Sequence, residues 1–419
     1  MNESAHRRLN PALALFEPSV IRSMTLRADT IPGSINLSQG FPDSRFATPD
    51  FVKQAAVQAI MDGVNQYAPP QGVVRLREAV AAHAKDWLGF EPDPLREVVI
   101  TCGATEAMYS AVQALTQPGD TILIPSPSYE NYGAVCKMLQ LTPRYVRLQP
   151  PEWRIDLDAL ERQWQTPPHP KVLLLCNPNN PTGTVYSHDE LTAIAALCKK
   201  YDGIVITDEV YEHMVFDGQT HCSMAAIDGM RERTVTISSV SKTFSVTGWR
   251  IGTVIAPARL ASTIVPLISP GGPPTRLDLA TAICQVHDYM TISAPHPLQM
   301  AIARAYEVAA TSDYYARFTD DYRQRREYLY SALIDAGFKT RRPAGGYYFM
   351  VDVSEYGLSD VQFAEKLIDE IGLVSVPASC FFLDKSDPSS RNYIRLCCCK
   401  SDALLAEAVN RLQRWRNAA

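Results

Sequence analysis

A chain of 419 residues, 46% hydrophobic and 20% charged, can bury a large core and build one big domain with a smaller companion. Its formal net charge of −5 argues against a nucleic-acid or anionic-membrane surface, which needs clustered Lys and Arg. No stretch is long and apolar enough to span a bilayer, and ten cysteines without a CxxC pair suit packed thiols in a reducing cytoplasm better than a disulfide scaffold.

The polar start, Met1–Asn10, has no apolar signal core, so no secretion signal is expected. Glu97–Thr101 is a β-rich run followed by a helix-like stretch, Glu106–Leu115. Thr121–Ile124 reads as a strand ending at Pro125, and Lys171–Cys176 as a buried strand that stops at a Pro-rich loop, Asn177–Gly183. A helix around Asp189–Lys200 leads to strands at Gly203–Thr207 and Thr234–Ser238. This alternation predicts an α/β fold with a mostly parallel central sheet flanked by helices, whose sites sit at the carboxyl ends of strands.

The segment from Leu267 to Ala282, with Ser269-Pro270-Gly271-Gly272-Pro273-Pro274-Thr275-Arg276, is an irregular insertion. It reads either as an exposed surface loop or as a lid whose Arg276 meets a larger, anionic substrate. Beyond it, helices at Tyr314–Ala336, Val361–Ile371 and Ala403–Trp415 surround strands at Tyr347–Val353, Leu373–Val376 and Tyr393–Cys397. That mixture predicts a smaller α+β domain. Cys397, Cys398 and Cys399 alternate between faces rather than converge on a metal.

Four strand ends carry chemically unusual residues. Ser239-Val240-Ser241-Lys242 places one lysine just past a strand, where desolvation suits an amine to imine formation, although a surface lysine fits the same spacing. Arg250 and Ser239 are phosphate partners within reach. Asp208, at the end of Gly203–Thr207, suits either a protonated pyridine nitrogen or a structural arginine. Asn180 lies in a rigid Asn-Pro turn, and Gly103-Ala104-Thr105 opens a helix N-terminus suited to a single phosphate. Glu209 and His213 lack the spacing of the zinc motif HExxH, so no metal is expected.

Together these segments resemble a known family. Ser239–Gly252, Asn177–Gly183, Asp208–Tyr211 and Gly103–Ala107 are similar, in the same order, to the signatures of class I/II pyridoxal-phosphate aminotransferases of fold type I. Leu37–Asp43, Asn65-Gln66-Tyr67 and Tyr393-Ile394-Arg395 resemble the kynurenine/glutamine/methionine branch, and the likeness runs from about Phe16 to Trp415. The resemblance implies pyridoxal 5′-phosphate as cofactor, carried on Lys242 as a Schiff base, with Lys242 then moving the substrate's α-proton. It implies Asp208 on the ring nitrogen, Asn180 and Tyr211 on the phenolic oxygen, and Tyr129 stacked on the ring. Gly103, Ala104, Thr105, Ser239 and Arg250 would hold the phosphate, joined by Tyr67 of the partner in a homodimer with shared sites. Arg395 would take the substrate carboxylate with Gly40 and Asn180 nearby, and Ile292 and Ser293 would complete the partner's pocket.

The implied domains are an N-terminal arm with part of the small domain over 1–48, a large cofactor domain over 49–296 and a small C-terminal domain over 297–419. The implied reaction moves an amino group between an amino acid and a 2-oxo acid. An alternative on the same fold is a lyase, cyclase or β,γ-elimination or replacement enzyme of natural-product biosynthesis, for example on an S-adenosylmethionine-like substrate. A second is a binding protein without catalysis. Thr105, Ile292 and Ser293 differ from the larger side chains of the nearest relatives and imply a pocket of different size.

Overall fold

The structure is a computed structural model and describes residues 20–42, 48–259, 266–267, 275–276 and 278–418. Strand β1 (Ile35–Asn36) follows the helix Val20–Asp29. The next eight are β2 (Val98–Thr101), β3 (Thr121–Ser126), β4 (Thr142–Gln149), β5 (Arg154–Ile155), β6 (Val172–Cys176), β7 (Ile204–Asp208), β8 (Thr234–Ser239) and β9 (Gly252–Ile255). They form one sheet in the order β2-β9-β8-β7-β6-β3-β4-β5. Strands β8, β7, β6, β3 and β4 run parallel, while β9 is antiparallel to β2 and β8, and β5 to β4.

The residues explain this centre. β6 reads Val-Leu-Leu-Leu-Cys, and every residue in it is buried, as a strand covered on both faces requires. Alternate residues divide between two layers. Ile122, Leu174 and Ile206 pack with Ala107 and Val112 of the helix Ala104–Leu115. Leu123, Leu175 and Val205 pack on Leu160 and Trp164 of the helix Leu157–Gln165.

Two strand boundaries differ from the sequence reading. β3 does not stop at Ile124 but continues through Pro125 to Ser126. β6 pairs with β3 only at Ile122 and Leu123, so Pro125 lies beyond the doubly paired part, where its missing N–H costs no bond to β6. After β10 (Pro266–Leu267), β11 (Thr275–Arg276), β12 (Lys339–Thr340) and β13 (Tyr348–Asp352), the single strand expected at Leu373–Val376 is two. β14 (Leu373–Val374) pairs in parallel with β1, whereas β15 (Val376–Pro377) pairs with β16 (Tyr393–Cys397). Different partners on either side of Ser375 divide the run.

The insertion at Leu267–Ala282 is partly regular. β10 and β11 form an antiparallel pair, and Asp278 caps the helix Leu279–Thr291 by accepting from Thr281 N at 2.8 Å. Its Pro-Gly run over 269–274 lies outside the described residues. Among the described residues no helix is long and apolar enough to cross a membrane.

β12, β13, β16 and β15 make a second, antiparallel sheet. The segment after β1 is tied into this C-terminal unit. Leu37 N donates to Val374 O at 3.0 Å, and Cys397 N donates to Leu37 O at 2.9 Å. The Leu37 side chain is fully buried. This anchoring carries Gly40 against Tyr347 and Tyr348. Leu37→Ala should therefore lower stability by about 2–5 kcal/mol, the cost of a buried leucine cavity. Urea denaturation of the holoenzyme checks it; an unchanged midpoint would remove the anchor role.

Candidate active site

β8 runs directly into the short helix Val240–Thr243, which carries Lys242, and Ser239 caps it by accepting from Ser241 N at 3.2 Å. Lys242 lines a cavity of about 510 Å³ at the carboxyl ends of the parallel strands. Its Nζ donates to Gly40 O at 3.0 Å and lies 5.9 and 5.8 Å from the ring centres of Tyr211 and Tyr347. Burial pushes the amine down to about 8 from its ordinary 10.5, which raises the neutral, nucleophilic fraction near neutral pH.

Asp208 closes β7, between β6 and β8. Its Oδ2 accepts from Tyr132 Oη at 2.7 Å, and burial raises its pKa against the lowering effects of that hydroxyl and of Lys242. Tyr129 caps the helix Glu130–Met138, and its ring meets Tyr132 edge-on at 5.8 Å. Tyr211 is buried and meets Tyr347 edge-on at 5.3 Å.

A second group forms an anion cradle. Gly103 sits at φ 84, a left-handed conformation that glycine tolerates, and opens the helix Ala104–Leu115. Glu106 braces this turn, accepting from Cys102 N at 2.8 Å and Ser110 Oγ at 2.7 Å and facing His287 Nδ1 at 3.0 Å. A Cβ on Gly103 would lie 2.2 Å from Arg250 Nη2, and one on Gly252 would lie 2.4 Å from the Gly103 carbonyl carbon. Ser239, Arg250, Ala104 and Thr105 line the same cavity wall. The first-turn N–H groups and a guanidinium suit a phosphate there.

Arg395, on β16, is buried opposite. Its Nη1 donates to Asn180 Oδ1 at 2.8 Å and its Nη2 to Ser38 O at 2.9 Å. The guanidinium lies between Tyr348 and Phe381, 4.0 and 4.3 Å from their ring centres. Its Nε finds no hydrogen-bond partner among the described residues. Gly40 is held close by packing, since a Cβ there would fall 1.7 Å from Tyr348 Oη.

The cavity thus gathers Gly40, Ala104, Thr105, Tyr129, Asn180, Asp208, Tyr211, Ser239, Lys242, Arg250 and Arg395. Tyr67, Ile292 and Ser293 do not line it. Tyr67 is 76% exposed, and Ile292, 45% exposed, holds φ 66 and ψ −59, a conformation a β-branched residue adopts only under constraint. Sequence reasoning missed Tyr132, Ser38 and the aromatic walls Tyr347, Tyr348 and Phe381. Only Tyr132 carried a signal, as a second tyrosine within one helical turn of Tyr129.

Pyridoxal phosphate fits these residues. Asp208 is a buried carboxylate with only neutral donors in hydrogen-bond contact, Lys242 is a desolvated amine, and the Gly103–Arg250 cradle is left open by two glycines.

Residues 32–412 match the family model "Aminotransferase class I and II". The chain is 34% identical to the methionine aminotransferase of Escherichia coli, over 91% of this chain and 92% of that one. It is 32% identical to kynurenine–oxoglutarate transaminase 1 of Homo sapiens, again over 91% and 92%. The solved structure of N-succinyldiaminopimelate aminotransferase from Mycobacterium tuberculosis superposes with a TM-score of 0.87 at 35% identity, covering 97% of this chain and 99% of that one. All three names describe amino-group transfer, which favours it over the lyase or cyclase alternative. The chain belongs to the class I and II aminotransferases and is a pyridoxal-phosphate-dependent aminotransferase of fold type I.

Proposed function

We propose that the chain moves an amino group between an amino acid and a 2-oxo acid with pyridoxal phosphate held covalently on Lys242. The observation that carries this reading is the meeting of Lys242, Asp208 and Arg395 in one cavity. When bound, the cofactor supplies the electron sink for charge at the substrate α-carbon. Lys242 would hold the cofactor, and its Nζ is the group that would take the substrate's α-proton and return it. Asp208 would pair with the ring nitrogen, with Tyr132 holding its Oδ2. Asn180 and Tyr211 would donate to the ring's phenolic oxygen, and Tyr129 would stack on the ring. Gly103, Ala104, Thr105, Ser239 and Arg250 hold the phosphate. Arg395 grips the substrate carboxylate beside Gly40 and Asn180, and its Nε without a partner supports that role. The relatives' names include methionine, kynurenine and N-succinyldiaminopimelate, so we take an amino acid with an extended side chain as the donor.

We further read the active unit as a two-fold homodimer in which Tyr67, Ile292 and Ser293 complete the neighbour's site. Val57, Ile60, Met61, Tyr67, Tyr289 and Met290 are exposed, and apolar surface of this kind supports an interface. The domain division at 48 and 296 remains our reading. β1–β14 pairing supports joining the arm to the C-terminal unit, while the helix His296–Ala310 packs on Asp50–Met61 and extends large-domain contacts past 296. Ten free thiols support a cytoplasmic, reducing setting.

Purified holoenzyme should convert methionine or kynurenine to the 2-oxo acid while 2-oxoglutarate or pyruvate gains the amino group. Asp208→Asn should slow turnover at least ~100-fold, the scale of one lost electrostatic stabiliser. Release of a substrate side-chain fragment, or near-full activity of the Asn variant, would overturn the respective assignment.

The Lys242 amine, lowered to about 8, is mostly protonated below that pH and neutral above it. Capture of added pyridoxal phosphate by apoenzyme should therefore accelerate roughly tenfold per pH unit below 8 and level off above it. Stopped-flow absorbance reads this directly. A flat profile would mean that another amine is modified.

Hybrids of Lys242→Ala and Tyr67→Phe chains test the shared site. If sites are shared, one hybrid site collects both lesions and the other is intact at these positions. Activity of verified hybrids should then exceed that of either parent, and activity no higher would count against sharing.

A further inference from the structure

Behind the cofactor cavity lies a cluster the reaction does not use. The sequence reading weighed Glu209 and His213 for a metal and set them aside, but the fold brings a different residue to His213. His83, on the helix Val74–Leu88, meets it from 130 residues away, with the two Nε2 atoms 2.9 Å apart. Glu212 joins them, and one ligand atom from each of the three residues falls within 4.8 Å of the other two.

The surroundings fix this arrangement. Tyr315 stacks on both imidazoles, 4.9 and 4.2 Å between centroids, and Trp87 meets His83 edge-on at 4.8 Å. Thr243 Oγ1 donates to Glu212 Oε1 at 3.3 Å, and Ser238 lies near the carboxylate. Glu212 is only 6% exposed, yet its Oε2 finds no hydrogen-bond partner among the described residues. The orphaned Glu212 Oε2 is costly to bury, while the two Nε2 atoms satisfy each other through one hydrogen bond that a shared cation would replace.

We propose that His83, Glu212 and His213 bind a divalent transition-metal cation of the zinc class. Two nitrogens and one carboxylate oxygen are borderline ligands of the kind that zinc accepts, and water would fill the fourth position. A metal about 2.0–2.1 Å from each Nε2 subtends roughly 90° at the observed spacing, so opening to a tetrahedral angle asks a few tenths of an ångström. A small turn of Glu212 brings in its oxygen. The cation would pin the helix Val74–Leu88 to the turn after β7. That turn also carries Tyr211, and Glu212 in it accepts from the neighbour of Lys242. The site is structural and stands apart from the amino-transfer chemistry.

The test uses holoenzyme stripped with a chelator and dialysed against zinc ion alone. It should take up one zinc per chain and gain a few degrees in Tm. X-ray absorption should show nitrogen and oxygen at about 2.0–2.1 Å without sulfur at about 2.3 Å. His83→Gln and His213→Gln, each checked for folding by retained cofactor absorbance, should lose that equivalent. Uptake below about half an equivalent, sulfur neighbours from the cysteines, or full uptake in either variant would overturn the site. If one variant does not fold, the other and the wild-type absorption data decide.

Discussion

A carboxylate buried at the end of a strand is expensive unless a cation meets it, and Asp208 imposes that requirement on its surroundings. Its strand is one of the two central strands of the eight-stranded sheet, flanked by β6 and β8. The loop after β6 supplies Asn180, the turn after β7 supplies Tyr211, and the helix after β8 supplies Lys242. Three adjacent strands therefore deliver the central groups to one point, and their hydrogen-bonded register fixes the spacing. Nothing on a mobile loop has to find the carboxylate. In our reading the cofactor's ring brings the missing positive charge, and the same ring is the electron sink, so the cost of burying Asp208 becomes the source of reactivity.

Much of this was legible because strand-end chemistry is local. Ser239 to Lys242, Asp208, Asn180 and the Gly103 turn each sit within a few residues of a hydrophobic run that announces its strand. What escaped depends on contacts between distant segments. Tyr132 reaches Asp208 across 76 residues, and Ser38 reaches Arg395 across 357. His83 and His213 are ordinary isolated histidines in the sequence and become partners only when the helix Val74–Leu88 packs against the turn beyond β7. Pro125 misled in the other direction. A proline reads as a stop, yet the strand tolerates it because pairing on one side has already ended.

Gly40 links the two halves of the molecule. Its carbonyl accepts both from Lys242 Nζ and from Tyr347 Oη at 2.6 Å, so the amine is held by the N-terminal segment and the C-terminal sheet together. In our reading Lys242 gives up the first of these bonds when it takes the cofactor, while Tyr347 keeps the second. The segment thus keeps its place through the tyrosine, and the amine leaves without dragging the backbone along.

The pairing of β1 with β14 also sets an order on biosynthesis. Arg27, whose ion pair with Glu365 flanks this junction, is 338 residues from its partner. During translation the first described helix and strand leave the ribosome long before β14 exists. They wait as an amphipathic segment with an open edge until β14 has emerged. The eight-stranded sheet, complete by Ile255, can form in that interval, but the wall of the site built around Gly40 and Arg395 closes only once β16 has emerged. Chaperone demand should therefore concentrate on the segment from Val20 to Gly40 rather than on the strands that follow it.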